Sequence, residues 1–249
     1  MSGHSKWATI KHKKAANDKA RGKLFAKVLR QVEVAAREGG GDPDMNPTLR
    51  TMFQKARDAS IPVDTIERAV KRGAGELEGV TYEQITYEGY APGGVAVLVE
   101  VLTDNRNRTG SEVRNAFSKN GGSMAEPGAV AWQFDRKGHI LVARATDEEE
   151  LMLTALDAGA EDITDDGEAW RVTTPPSDLH AVRTALDEAG IAVESVDLAM
   201  VPQATIPLES TESAKKVLRL VDALDEQDDV QAVHANFDIP DAILETVEA

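Results

Sequence analysis

The stretch 139–200, HILVARATDEEELMLTALDAGAEDITDDGEAWRVTTPPSDLHAVRTALDEAGIAVESVDLAM, alternates between strand and helix periodicity. His139–Ala143 reads as a strand and a helix follows at about Asp147–Asp157. Strands near Asp162–Thr164 and Ala169–Thr173 flank Asp165-Asp166-Gly167, a hairpin turn by composition. Pro176–Ala189 reads as a second helix and Ala192–Met200 as a closing strand. The resulting string, βαββαβ, is the ferredoxin-like split motif. Just upstream, Ala129–Phe134 reads as an additional strand, with Lys137-Gly138 as a break before His139.

The segments on either side of this unit are incomplete alone. Upstream, strands are expected at Thr81–Glu88 and Val95–Leu102, joined through Ala91-Pro92-Gly93-Gly94. Thr109 and Glu112 offer a cap for a helix carrying Val113, Ala116 and Phe117, which Asn120-Gly121-Gly122 closes. Downstream come a strand at Thr205–Leu208, a helix at Glu212–Leu224 and a strand at Val230–Phe237. The two pieces can close into a second sheet with 139–200 inserted between them. Ahead of both lie three helical patterns. Leu24, Phe25, Val28, Leu29, Val32, Ala35 and Ala36 form one stripe, stopped by Gly39-Gly40-Gly41. Leu49, Met52, Phe53 and Ala56 form the next, opened by Asp44-Met45-Asn46-Pro47. Asp64 with Glu67 is a capping pair for a third helix that ends at Gly73. The expected fold class is α+β: an N-terminal three-helix domain followed by two ferredoxin-like α/β domains, one inserted in the other. The expected boundaries are 1–76, then 77–128 plus 203–249, with 129–202 inserted.

The chain has 249 residues, 41% hydrophobic and 29% charged, enough for a buried core. Aromatic residues make up only 4%, which argues against a sheet built for base stacking or a carbohydrate cleft. There are no cysteines, so disulfides, thiolate metal sites and cysteine nucleophiles are excluded together. No apolar run approaches membrane-spanning length, and the basic N-terminus lacks the apolar core of a secretory signal. A cytoplasmic protein that makes no membrane contact is expected.

The net charge of −15 hides a division. Residues 1–75 hold 16 basic and 8 acidic side chains, and residues 76–249 hold 12 and 35. Within the first 30 residues nine side chains are basic and Asp18 alone is acidic. Such a division suits a basic module for a polyanion on an acidic body.

Enzyme signatures are missing: no phosphate loop, nucleophile elbow or H-E-x-x-H pattern occurs. His4 and His12 lie in the basic segment, while His139, His180 and His234 are scattered, so neither a metal nor any other cofactor is expected. Asp147-Glu148-Glu149-Glu150 reads as a helix start favoured by the dipole. Asp225-Glu226-Gln227-Asp228-Asp229 reads as a solvated loop. No catalytic residue and no small-molecule substrate is expected. The strongest local signal is the run Lys6, Lys11, Lys13, Lys14, Lys19, Arg21, Lys23, Lys27 and Arg30, which would neutralise phosphates and release counterions. Trp7 and His12 add flat rings able to stack on a base. The plainer alternative is a solvated tail with Trp7 packed on the bundle. A second candidate is Asp104-Asn105-Arg106-Asn107-Arg108-Thr109, where Arg106 and Arg108 near a helix start could hold a phosphate. Its alternative is a loop whose arginines pair with local carboxylates.

These same residues carry a resemblance. Gly3-His4-Ser5-Lys6-Trp7, Lys11-His12-Lys13-Lys14-Ala15 and Asp18-Lys19-Ala20-Arg21-Gly22-Lys23 resemble the N-terminus of the YebC/PmpR family. Gly39-Gly40-Gly41-Asp42-Pro43, Asn46-Pro47, Tyr87-Glu88-Gly89-Tyr90-Ala91-Pro92-Gly93-Gly94, Thr103-Asp104-Asn105-Arg106-Asn107-Arg108-Thr109 and Lys119-Asn120-Gly121-Gly122 continue the likeness in order. The resemblance implies three domains, the third inserted in the second, and a non-enzymatic cytoplasmic regulator of gene expression. Two versions of that role follow from it: a DNA-binding transcriptional regulator, or a translation factor on ribosomal RNA that relieves stalling on proline-rich sequences. An enzyme acting on nucleotides is a third class, for which no motif is present. Physical reading leans on the lysines: no helix-turn-helix with an Arg-, Asn- and Gln-rich recognition helix stands out. A lysine segment reads phosphate and shape, and this suits structured RNA at least as well as an operator.

Overall fold

The computed structural model describes residues 18–248. The helices in chain order are α1 (Asp18–Gly39), α2 (Pro47–Asp58), α3 (Val63–Gly73), α4 (Arg106–Lys119), α5 (Glu148–Asp157), α6 (Leu179–Glu188), α7 (Thr211–Asp225) and α8 (Asp241–Glu248). The strands are β1 (Glu83–Tyr90), β2 (Ala96–Thr103), β3 (Ser123–Met124), β4 (Phe134–Ala143), β5 (Asp162–Asp165), β6 (Ala169–Thr174), β7 (Val193–Pro202), β8 (Ile206–Pro207), β9 (Val230–Ala235) and β10 (Phe237–Asp238). Residues 18–80 and 136–199 form one compact unit; 81–135 and 200–248 form another.

In the first unit α1 and α2 bury the stripes expected of them, and α3 packs against both. Val28, Val32, Ala35 and Ala36 of α1 share a core with Leu49, Ala56, Ile66 and Ala69. One buried polar side chain joins the first two helices. Asn46 accepts from the Leu49 N–H at 3.0 Å, and its amide donates to the carbonyls of Ala35 and Gly40, both at 2.8 Å. The same residue therefore caps α2 and satisfies carbonyls at the end of α1. The expected capping by Asp64 is corrected. Pro62, at φ −57°, holds the N-cap position of α3 with no side-chain cap, and Asp64 pairs with Arg68 at 3.2 Å inside the helix.

The inserted sheet has the order β5-β6-β4-β7, the strand order of the split βαββαβ motif. Its pairs β4–β6 and β5–β6 are antiparallel. Ile140, Val142, Trp170 and Val172 form its core with Leu151, Ala155, Val182 and Leu186. The strand expected at Ala129–Phe134 is not one. Ala131–Gln133 is a single 3₁₀ turn, and β4 starts at Phe134 and runs unbroken through Lys137-Gly138. Gly138 is there for space rather than for a turn: a Cβ would sit 2.7 Å from Leu179 Cδ1 and collide with Thr174 Oγ1. Within this unit Arg183 of α6 donates to Asp58 of α2 at 3.0 Å, and Lys55 of α2 pairs with Asp197 of β7.

The second unit holds a sheet of order β3-β1-β2-β9 in which every pair is antiparallel. Strand β9 comes from beyond the insertion, so the sheet closes from both flanking pieces, as the pattern required. The turn from β1 to β2 needs Gly93 and Gly94, whose φ values are +83° and +78°. Ala96 and Leu98 on one face of β2 pack with Val130 and Phe134, while Val97, Val99 and Val101 are buried on the alternate face. Strand β8 lies outside this sheet, paired in parallel with β10. The short strand β3 and helix α8 had no counterpart in the sequence reading.

Candidate nucleic-acid interface

Lys6, Trp7, Lys11, His12, Lys13 and Lys14 lie outside the described residues. The rest of the basic run falls on α1. At 3.6 residues per turn, positions 19, 23, 27 and 30 share an arc of roughly 80°, and Val28, Val32 and Ala35 lie about opposite. The core therefore fixes which way the cationic stripe faces. Lys23 is exposed, and Lys27 and Arg30 are half-buried, as expected for long stems lying along a helix surface. Position 21 lies off this arc. The rotation of α1 is further fixed by Glu33, a buried carboxylate that accepts from Arg72 Nε of α3 at 3.1 Å.

The turn before α4 is built differently from its sequence reading. Asn105, not Thr109, is the N-cap: its side chain accepts from the Arg108 N–H at 3.1 Å. Thr109 is buried inside the first turn. Its hydroxyl and that of Thr103 lie 2.7 Å apart and both reach Asp229 Oδ2, at 2.6 and 3.0 Å. Arg108 Nη2 donates to the same oxygen at 2.5 Å and to Asp104 at 2.9 Å. Asp229 is thus no member of a solvated acidic loop, which corrects the reading of 225–229; it is a buried carboxylate at the start of β9. Burial pushes its carboxyl up, but the hydrogen bonds from Thr109, Arg108 and Thr103 outweigh this and hold it below the usual carboxylate value. Arg106 pairs with Glu83 at 3.2 Å and is 68% exposed. The two arginines therefore have different surroundings: Arg108 is tied to a buried acid, Arg106 to an exposed one.

A third feature went unrecognised in the sequence. Glu88, buried in β1, accepts from the backbone N–H groups of Gly128, Val130 and Ala131 at 2.6, 2.6 and 2.9 Å. Burial raises its carboxyl, yet the three N–H bonds win and its ionisation is shifted down. This carboxylate fixes the 3₁₀ turn that displays Trp132, an exposed ring whose indole N–H donates to Ala129 O at 3.1 Å. A glutamate in an alternating strand normally reads as solvent-facing, so the pattern concealed it. His139, His180 and His234 lie on β4, α6 and β9, and among the described residues no three metal-ligating side chains converge. No helix among the described residues is long and apolar enough to cross a membrane.

Comparison with known proteins matches these features to one family. Residues 5–76 match the TACO1/YebC protein N-terminal domain, and residues 82–237 match the TACO1/YebC second and third domain. A protein of Thermobifida fusca is 61% identical over 246 residues, covering 98% of each chain. One from Halothermothrix orenii is 55% identical over 250 residues, covering 99% of each. Both are called probable transcriptional regulatory protein. The crystal structure of a conserved hypothetical protein from Aquifex aeolicus superposes with a TM-score of 0.84 at 48% identity, over 90% of this chain and 93% of that one.

Proposed function

The chain belongs to the TACO1/YebC family, and we propose that it is a non-enzymatic regulator of gene expression that binds nucleic acid through its 1–76 domain. The observation that carries this reading is the stripe at Lys23, Lys27 and Arg30, held opposite the α1 core. With Lys6, Lys11, Lys13, Lys14, Lys19 and Arg21 it supplies phosphate contacts whose affinity comes from counterion release, and Trp7 and His12 add rings that stack on a base. Arg106 adds a phosphate contact on the discontinuous domain, 77–128 plus 203–249, while Arg108 holds the turn in place. The protein works in the cytoplasm, needs no cofactor and turns over no small molecule.

The name shared by its relatives supports transcription, with DNA as the target. The composition of the stripe supports a second reading, ribosomal RNA. Its positions are Lys and Arg with no Asn or Gln, a set that neutralises phosphate and follows shape but lacks the amide pairing that reads adenine. Titration over a salt series against mixed-sequence duplex DNA and against purified ribosomes tests both. Replacing Lys23 and Lys27 with Ala should weaken binding and flatten the log–log salt slope by roughly one unit per lost contact. An unchanged slope would remove α1 from the interface. The target held more tightly at matched salt, with co-sedimentation of the protein in lysate gradients, decides between DNA and ribosome.

A further inference from the structure

Helix α5 is N-capped by Asp147, which accepts from the Glu150 N–H at 3.0 Å, and it buries only Leu151 and Ala155 against the inserted sheet. Its outer side is not polar. Met152, Leu153 and Leu156 are 42%, 68% and 43% exposed, and their i, i+3 and i, i+4 spacing joins them into one apolar face. Glu148, Glu149 and Asp157 stand one turn away from this face, at the same helical spacings. Among the described residues, none of these three acids makes an ion pair. The inserted segment itself does not neutralise them either. Residues 136–199 hold 15 acidic and 5 basic side chains. Four of those cations are engaged elsewhere: Lys137 with Glu161, Arg144 with Asp165, Arg171 with Asp166, and Arg183 with Asp58 and Asp187.

We propose that this face of α5 docks a basic amphipathic segment of a protein partner, its apolar side chains on Met152, Leu153 and Leu156 and its cations on Glu148, Glu149 and Asp157. Charge complementarity selects this occupant. Phosphate of a nucleic acid and an anionic lipid surface are both repelled by the acidic rim. A second copy of this chain packed α5 to α5 would set one acidic rim against another. A helix with apolar residues at i, i+3 and i+4 and Lys or Arg beside them satisfies the apolar face and the rim together. The inference stands apart from the nucleic-acid reading, and its test contains no nucleic acid.

The probe is a fluorescently labelled helical peptide of Leu and Lys in amphipathic order, titrated into the full chain and followed by anisotropy. A peptide of identical composition with its leucines scrambled around the helix is the control. Leu153→Asp should weaken binding of the amphipathic peptide by about tenfold or more, as for a central apolar anchor. Glu149→Gln should weaken it less and reduce its salt dependence. Because Leu153 is exposed, the melting temperature should be unchanged, and Leu153→Gln gives the same comparison without added charge. Three results would overturn the proposal. They are equal binding by wild type and both Leu153 variants, equal binding of the scrambled peptide, and a wild-type dimer in sedimentation that Leu153→Asp dissociates.

Discussion

Asp229→Ala separates the structural role of the Thr103–Thr109 turn from a ligand-binding one. The wild-type carboxylate accepts from two buried hydroxyls and from Arg108. Each hydroxyl donates to a charged carboxylate and contributes about 1.5–3 kcal/mol, so the pair is worth about 3–6 kcal/mol. The Arg108 contact is partly wet and adds little certain stability. For a cooperative unit of 150–250 residues about 3–6 kcal/mol lowers Tm by roughly 6–24 °C, measured by differential scanning calorimetry. Asp229→Asn, which keeps one oxygen acceptor, should fall between. Arg108→Ala should lower Tm by less than Asp229→Ala, and Arg106→Ala, which breaks only an exposed pair, should leave it unchanged. The sign of the pH dependence follows from the lowered carboxyl. Its stabilisation is complete above the unfolded value of about 3.9 and is lost as pH falls through the depressed folded value. The gap between wild type and Asp229→Ala should therefore persist at neutral pH and close in acid. Two outcomes refute the reasoning: an unchanged Tm for Asp229→Ala, or an Arg106→Ala loss equal to that of Asp229→Ala.

Two further buried polar side chains make similar demands. Glu88→Ala leaves three backbone N–H groups without their acceptor and should cost about 3–5 kcal/mol in urea unfolding; because its carboxyl is also shifted down, the loss should shrink as pH falls below about 4.3. Asn46→Ala removes the α2 cap and two carbonyl contacts and should cost about 2 kcal/mol, whereas Asn46→Asp, which keeps the cap acceptor but faces both carbonyls with a charge, should recover none of that loss.

Periodicity carried most of the fold. Apolar spacing located α1 and α2, and the β–α–β order implied an inserted sheet whose strands were indeed ordered β5-β6-β4-β7. Sequence failed where a distant side chain decides a local choice. Asn105 and Thr109 are both competent caps, and only Asp229, 120 positions on, draws the Thr109 hydroxyl inward and leaves Asn105 the cap. Gly138 mimics a turn because Leu179 and Thr174, which fill the space of its missing Cβ, are not its neighbours in sequence. Asp229 follows Asp225, Glu226 and Asp228, so composition hid the one acid of that run that is buried. The candidate interface was more legible, because charge sign and helical spacing alone locate the α1 stripe. Its opposition to the core requires α1 to be a single helix from Asp18 through Gly39, whereas the apolar stripe begins only at Leu24.

A net charge of −15 taken alone argues against any polyanion as a partner. The argument fails on range. At physiological salt, electrostatic influence decays over about 8 Å, so a phosphate at α1 responds to nearby charges and hardly to the sum. What matters is that one compact unit, 18–80 with 136–199, carries two surfaces of opposite character. The α1 stripe is cationic and carries no Asn or Gln. The α5 face is apolar and acid-rimmed. Neither ligand class can exchange places with the other: phosphate is repelled at α5, and a basic helix is repelled at α1. A nucleoprotein presents both kinds of ligand, exposed phosphate and basic protein segments. A chain built to engage such a target gains from two surfaces that each reject the other's ligand, since wrong-face binding to bulk nucleic acid is then disfavoured by charge alone.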